Sequence, residues 1–283
     1  MIWRIKSMNL KQTVMNRKSV PGFLFGMLLM AQFAIAPVAL AQNPSPDDEL
    51  PRLSREQVEW IVREYLLNNP EIIEQSMSVL QERREREAAE QARKALTDRA
   101  DELFNDDMDP LVGNPDGPVQ MVHFFDYQCG YCKSMSKNLG DTLTADGDVR
   151  AKFKEFPILG QVSVVAARAA LAAEKQGQYM DFHQALMANR GRLTETRIFS
   201  IAQNLGLDVA RLRLDMKDPA IDEQFLKNRQ LAAQLGITGT PGFVIGDQIY
   251  PTSMQPDVLQ SVIGDAKRKA GNQTELDALN PRG

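Results

Sequence analysis

The chain is poor in the residues that build metal centres and disulfide scaffolds: among 283 residues it has two cysteines and two histidines. A structural zinc site takes about four nitrogen or sulfur ligands. Cys129, Cys132, His123 and His183 would all have to converge to make one, so no metal and no cofactor is expected. Two cysteines this close also make a weak staple, because closing so short a loop removes little entropy from the unfolded chain. There is no glycine-rich phosphate loop and no internal repeat. The formal charge is −4, with 33 Lys and Arg against 37 Asp and Glu, which argues against nucleic acid as a partner. Beyond residue 41 no segment is apolar enough to span a membrane.

The first 41 residues stand apart. Arg17 and Lys18 precede an apolar run from Phe23 to Leu40, which ends in Ala39-Leu40-Ala41. A basic start, an apolar middle and a small-x-small end describe a cleaved secretory signal peptide; the alternative is a retained anchor. Met15 would start a signal of more usual length than Met1. Cleavage would remove five basic residues (Arg4, Lys6, Lys11, Arg17 and Lys18) and no acidic one, leaving a more acidic chain. Export would place the cysteines in an oxidising compartment.

Residues 42–81 read as a flexible lead followed by a helical segment. Ser54-Arg-Glu-Gln57 is a capping box, and Val58, Ile61, Val62, Tyr65 and Leu66 then recur at helical spacing. Asn69-Pro70 ends that helix and starts another, with proline accepted at its first position, carrying Ile72, Ile73, Met77 and Leu80. Two short helices cannot bury two apolar stripes on their own, so copies of the chain are expected to pack together here. Residues 82–110 are rich in Glu, Arg, Lys and Ala and read as a charged helical linker; over Leu96 to Phe104 a helix packed on the following domain is an equal reading.

The informative stretch is His123-Phe-Phe-Asp-Tyr-Gln-Cys129-Gly130-Tyr131-Cys132-Lys133. Val119 to Phe125 has the pattern of a buried strand, and Lys133 to Leu143 that of a helix. A strand-to-helix junction puts Cys129 at a helix start, where free backbone N–H groups and the positive dipole end stabilise a thiolate. Cys129 would attack a disulfide and Cys132 would resolve the mixed disulfide. Alternation along the strand puts Met121, His123 and Phe125 on one face. His123 is then either a proton relay beneath the active helix or a core histidine held by a backbone carbonyl; His183 reads as packing.

Val149 to Phe156 reads as a second strand, and residues 163–216 as a block of short helices. Pro219 to Leu235 forms one more helix. Thr240-Pro241 then leads into the strand Phe243 to Ile245, a Gly246-Asp247 turn, a second short strand at Gln248 to Tyr250, and a helix from Pro256. The tail after Gly271 reads as loose.

This order of parts, strand, Cys-x-x-Cys helix, strand, helices, Thr-Pro, hairpin and helix, resembles the thioredoxin fold, an α/β class. The helical block resembles the insertion of DsbA-family oxidoreductases, and Cys-Gly-Tyr-Cys with a later Thr-Pro is similar to the disulfide isomerase DsbC. A helical extension containing Tyr65-Leu-Leu-Asn-Asn-Pro70 resembles that of the ScsC proteins, named for suppression of copper sensitivity. The resemblance implies a thioredoxin-like catalytic domain over residues 111–271, with 272–283 as tail. It also implies that Pro241 is cis and that Thr240 and Pro241 contact substrate. It further implies a periplasmic homotrimer of thiol isomerases, acting on exported proteins with disulfides and kept reduced by a membrane thiol reductase of the DsbD/ScsB kind. Many relatives carry a buried acid where His123 stands. The same residues would serve a DsbA-like oxidase, and from another class the two thiols would hold Cu(I) in a copper-tolerance protein.

Overall fold

The computed structural model describes residues 53–279; the expected signal peptide and nearly all of the lead lie outside the described residues. The first helix, α1 (Arg55–Asn68), is opened by the expected capping box. Ser54 N–H donates to Gln57 Oε1 at 2.8 Å and Gln57 N–H donates to Ser54 Oγ at 3.3 Å. Pro70 caps the next helix, α2 (Glu71–Asp98), from just outside it rather than from its first position. At 28 residues α2 is about 42 Å long. It runs unbroken through the expected boundary at Gln81. Composition changes there from apolar to charged, but no glycine or proline interrupts the helix.

The charged linker ends in packing. Ala92 of α2 is buried, and Ala95 and Leu96 lie against a core cluster that includes Leu103 and Phe104 of α3 (Ala100–Phe104). Of the two readings of Leu96 to Phe104, the packed helix is the observed one.

Five strands form one sheet in the order β1-β3-β2-β4-β5. They are β1 (Leu111–Gly113), β2 (Val119–Phe125), β3 (Val149–Glu155), β4 (Gly242–Ile245) and β5 (Gln248–Tyr250). β2 and β3 are parallel, from Val119 opposite Val149 to Phe125 opposite Glu155. A parallel pair needs a crossover, supplied by α4 (Gly130–Ala145). β4 is antiparallel to β2, and Ile245 opposite Gln248 leaves Gly246 and Asp247 as a two-residue hairpin turn. Gly246 has φ 58° there, the left-handed conformation such turns demand. β1 was not expected. It is an edge strand of three residues, antiparallel to β3.

Between β3 and β4 come α5 (Gln161–Glu174), α6 (Tyr179–Ala188), α7 (Glu195–Asn204), α8 (Val209–Asp215) and α9 (Pro219–Gln234). Helix α5 buries Ala166, Ala167, Ala169, Ala170, Ala172 and Ala173, small side chains that let neighbouring helices approach closely. The last helix, α10 (Pro256–Leu279), continues through Gly271 to Leu279, which corrects the loose tail. Strand alternation sorts the core into two faces. Met121, Phe125, Phe153 and Phe243 meet α4 to α7 and α10 on one side, whereas Val122, Phe124 and Val244 meet α3 and α9 on the other. This is the thioredoxin-like α/β fold with a helical insertion.

The second face holds charge. Lys154 on β3 is wholly buried and pairs with buried Asp109, while its Nζ also donates to Glu102 O at 2.9 Å. Asp109 Oδ1 accepts from Gln224 at 2.7 Å and Asn228 at 3.3 Å, both on α9. Burial lifts the Asp109 carboxyl above its usual range in spite of the lysine. A buried pair of this kind contributes little net stability, but losing one partner leaves the other unpaired in the core. Lys154→Met is therefore expected to destabilise the fold by about 3–5 kcal/mol, and Lys154→Met with Asp109→Leu by clearly less. Urea denaturation midpoints of the three proteins check this; equal losses for the single and double variants would show that the pair is not coupled.

Candidate functional site

The dithiol occupies the start of α4. Cys129 is its N-cap, with extended backbone angles (φ −69°, ψ 116°), and its Sγ accepts the Cys132 N–H at 3.2 Å. This is the capping role usually filled by serine or aspartate, filled here by sulfur. Gly130 and Tyr131 form the exposed first turn, and the Tyr131 side chain stands 69% exposed beside a nearly covered Cys129 at 5% and a fully covered Cys132. The Cys129 thiol lies 3.2 Å from the Thr240 carbonyl oxygen, to which it donates when protonated. Thr240-Pro241 is a cis peptide. The thiol contact brings the loop before β4 and the start of α4 together, 111 residues apart in the chain.

The two thiols differ sharply. Hydrogen bonding from the Cys132 thiol is the largest influence on Cys129, and with help from the Thr240 side chain and the Cys132 and Tyr131 amides it outweighs burial, lowering the Cys129 thiol to about 6. Burial first, and the adjacent Cys129 second, push the Cys132 thiol up. A readily ionised thiol at the rim of the turn, with a more deeply buried thiol behind it, is the arrangement that nucleophilic attack followed by resolution requires.

Asp126 organises the approach to this turn, and sequence reasoning passed it over. Its carboxylate is buried and accepts four hydrogen bonds. Oδ1 takes the Gln128 N–H and the Ser163 hydroxyl, both at 2.7 Å; Oδ2 takes the Ile158 and Leu159 N–H groups, both at 2.9 Å. One side chain thus joins the turn before Cys129 to the loop after β3 and to the start of α5. An acid at the end of an apolar strand, three residues before the first cysteine, was the available signal.

His123 lies on the expected face of β2. It is buried, stacked on Phe243 with centroids 4.4 Å apart, and flanked by Phe125 and Phe153. Neither ring nitrogen has a hydrogen-bond partner among the described residues, so the expected backbone-carbonyl partner is not observed. Burial, with His183 as a lesser influence, holds its pKa well below that of a free imidazole. His183 does more than pack. Its Nδ1 lies 3.0 Å from the Tyr127 hydroxyl, which donates to Glu155 Oε1 at 2.8 Å, and Tyr179 donates to the same oxygen at 3.1 Å. Burial lowers the His183 pKa to about 3 and raises that of Glu155 well above the carboxylate range.

The thiol asymmetry has a measurable consequence. Ultraviolet thiolate absorbance of the reduced protein is expected to titrate with a midpoint near pH 6 and to vanish in Cys129→Ser. The sign follows from a depressed folded-state value. The thiolate stabilises the reduced fold fully above the free-thiol pKa of about 8.5, and this contribution is lost as pH falls through about 6. A midpoint near that of a free thiol would contradict the capping geometry.

Comparison with known proteins agrees with this geometry. Residues 120–264 match the DSBA-like thioredoxin domain, and residues 55–87 match the Copper resistance protein ScsC N-terminal domain. A thioredoxin-like oxidoreductase from Silicibacter pomeroyi DSS-3 is 42% identical, with 59% of this chain and 97% of that one covered and a TM-score of 0.58. Proteus mirabilis ScsC in a compact conformation is 30% identical, with 76% of this chain and 99% of that one covered and a TM-score of 0.59. The Na(+)/H(+) antiporter NhaA 1 of Salinispora arenicola is 26% identical over 162 residues, 56% of this chain but only 25% of the antiporter. The chain thus spans about a quarter of the curated antiporters it matches, within which it resembles one part. A match over more than half of the chain, together with a capped Cys129-Gly-Tyr-Cys132 turn facing Thr240-Pro241, shows that the chain belongs to the DSBA-like thioredoxin domain family.

Proposed function

We propose that the protein is a periplasmic disulfide isomerase and reductase, assembled from several copies of the chain, that acts on exported proteins. The observation that carries the exchange chemistry is the Cys129 sulfur, held at the α4 start with a lowered pKa and a shielded Cys132 thiol behind it. In this scheme the Cys129 thiolate attacks one sulfur of a client disulfide and the other sulfur leaves as a thiolate. A client thiol, or Cys132, then resolves the mixed disulfide. The Thr240-Pro241 loop borders the attacked sulfur and offers its backbone to an extended client segment. His123 would have to acquire charge in an apolar pocket, which burial opposes, so we assign it no step. A membrane thiol reductase would return the dithiol to its reduced state.

Isomerisation is favoured over net oxidation by the N-terminal helices. On α1, Trp60, Tyr65 and Leu67 are more than half exposed, and on α2 so are Ile73 and Met77. Large apolar side chains in such number mark an association surface, and the match of residues 55–87 to the ScsC N-terminal domain supports the same reading. We assign the surface to other copies of this chain, as a trimer. Several dithiols in one assembly raise the local thiolate concentration for repeated exchange on one client. A bulky assembly is also a poorer substrate for a membrane oxidase. The expected signal peptide supports the location.

Removing everything to Phe104 would strip Leu103 and Phe104 from the core, so point changes on exposed α2 positions are preferable. Ile73→Glu with Met77→Glu is expected to convert a trimer into a single chain by light scattering, with several-fold slower refolding of a scrambled-disulfide substrate and an unchanged Cys129 titration. A wild-type protein with the mass of one chain, or a dissociated variant that isomerises equally well, would refute the proposal.

A further inference from the structure

A groove of about 750 Å³ opens between the end of α6 and α7, lined by Arg190, Arg192 and Arg197 with Asn189, Ile201 and Leu205. It lies close to the dithiol helix. Lys133, the residue after Cys132, donates from Nζ to the Asn189 carbonyl at 3.0 Å, so one wall of the groove is fastened to α4. Among the described residues Arg190 and Arg192 have neither a hydrogen-bond nor an ion-pair partner, and no carboxylate lines the groove. Arg197 uses its Nε, which donates to Asn189 Oδ1 at 3.0 Å. Cations on the adjoining helices are matched: Arg168 pairs with Asp222, Lys175 with Asp218, Arg211 with Asp215 and Arg213 with Glu195.

We propose that this groove binds acidic segments of the client polypeptide flanking its disulfide, so that the protein selects substrates by charge. The inference rests on the exchange chemistry proposed above. Guanidinium groups present planar donors that match carboxylates, and half-buried Leu205 offers apolar surface to the stems of client side chains. The chain as a whole carries a formal charge of −4, which repels acidic clients at a distance. A local reversal of sign at a groove fastened to the dithiol helix turns the final approach favourable and orients it. A client segment held between Arg190 and Arg192 would run towards α4 and present its disulfide to Cys129. The Cys129 thiolate then forms a bond to one client sulfur as the client S–S bond breaks. Cys132 then gives up its proton and attacks the Cys129 sulfur, breaking the mixed disulfide; the two client thiolates take up that proton and one from water, leaving the protein oxidised and the client with two thiols.

The test uses the full-length reduced protein and two disulfide-closed peptides with the same core, one flanked by aspartates and the other by serines. Single-turnover thiol release gives the rate for each. The aspartate peptide is expected to react several-fold faster at low salt, with the advantage fading as salt is added. Arg190→Glu with Arg192→Glu, both at exposed positions, should reverse the ratio of the two rates, so that the serine peptide becomes the faster. Equal rates for the two peptides with the wild-type protein overturn the proposal, as does an aspartate preference that survives the double variant. If neither peptide is reduced, the exchange reading fails instead. Fluorescence anisotropy of a labelled aspartate peptide then decides the groove separately, with binding that the double variant abolishes supporting it and no binding overturning it.

Discussion

The strand that carries the chain into its dithiol is buried on both faces, and that constraint organises the rest. Along β2 every residue except Gln120 is buried, so both sides of the sheet need covering from distant parts of the chain. Met121 and Phe125 require the α4 to α7 side with α10; Val122 and Phe124 require α3 and α9. A strand covered on both faces at the centre of a sheet is a rigid mount. It delivers Cys129 to the same place in every molecule, at the point where β2 ends and the first free amides of α4 begin. The lowered thiol pKa follows from that placement rather than from any charged neighbour, since the groups that stabilise it are the Cys132 thiol, the Thr240 side chain and backbone amides.

Polar groups in the interior do a different job from the apolar ones. Asp126 and the Asp109–Lys154 pair each join segments far apart in the sequence, and each replaces solvent by fixed partners. Hydrophobic burial is tolerant of small shifts, whereas four hydrogen bonds on one carboxylate are not. Asp126 therefore sets the geometry of the turn before Cys129. The Tyr127–Glu155–Tyr179–His183 cluster sits under the same turn, with one Glu155 oxygen lacking a partner among the described residues.

Much of this was legible in advance, and what escaped notice did so for identifiable reasons. The dithiol helix, the strands flanking it and the Thr240-Pro241 loop announce themselves through local pattern: an apolar run, a Cys-x-x-Cys, a Thr-Pro before a hairpin. Strand β1 does not, because three residues beside a glycine and proline cluster carry no periodicity and exist as a strand only through pairing with β3. Lys152 and Lys154 share one face of β3 by alternation, and nothing in the local pattern marks that face as covered. They are buried because the segment from Glu102 to Asp109 folds over them and supplies carbonyl oxygens, a long-range fact invisible to local pattern. Asp126 was overlooked for the same reason, three of its four partners lying more than thirty residues away. The polar end of α10 offers no apolar stripe to betray a helix, yet the helix continues to Leu279.

The unbroken course of α2 makes angle, and not only distance, a property of the linker. In a continuous helix each residue turns the chain by about 100° and advances it about 1.5 Å. The exposed Ile73 and Met77 therefore hold a fixed azimuth relative to Ala92 and Leu96, which rest on the catalytic core. Losing a single residue between Leu80 and Ala92 would leave the spacing almost unchanged but swing the apolar stripe by more than a quarter turn about the helix axis, whereas losing seven would shorten the rod by two turns and nearly restore the phase. The segment behaves as a threaded rod rather than a tether: residues can be gained or lost in it only in multiples that preserve its pitch.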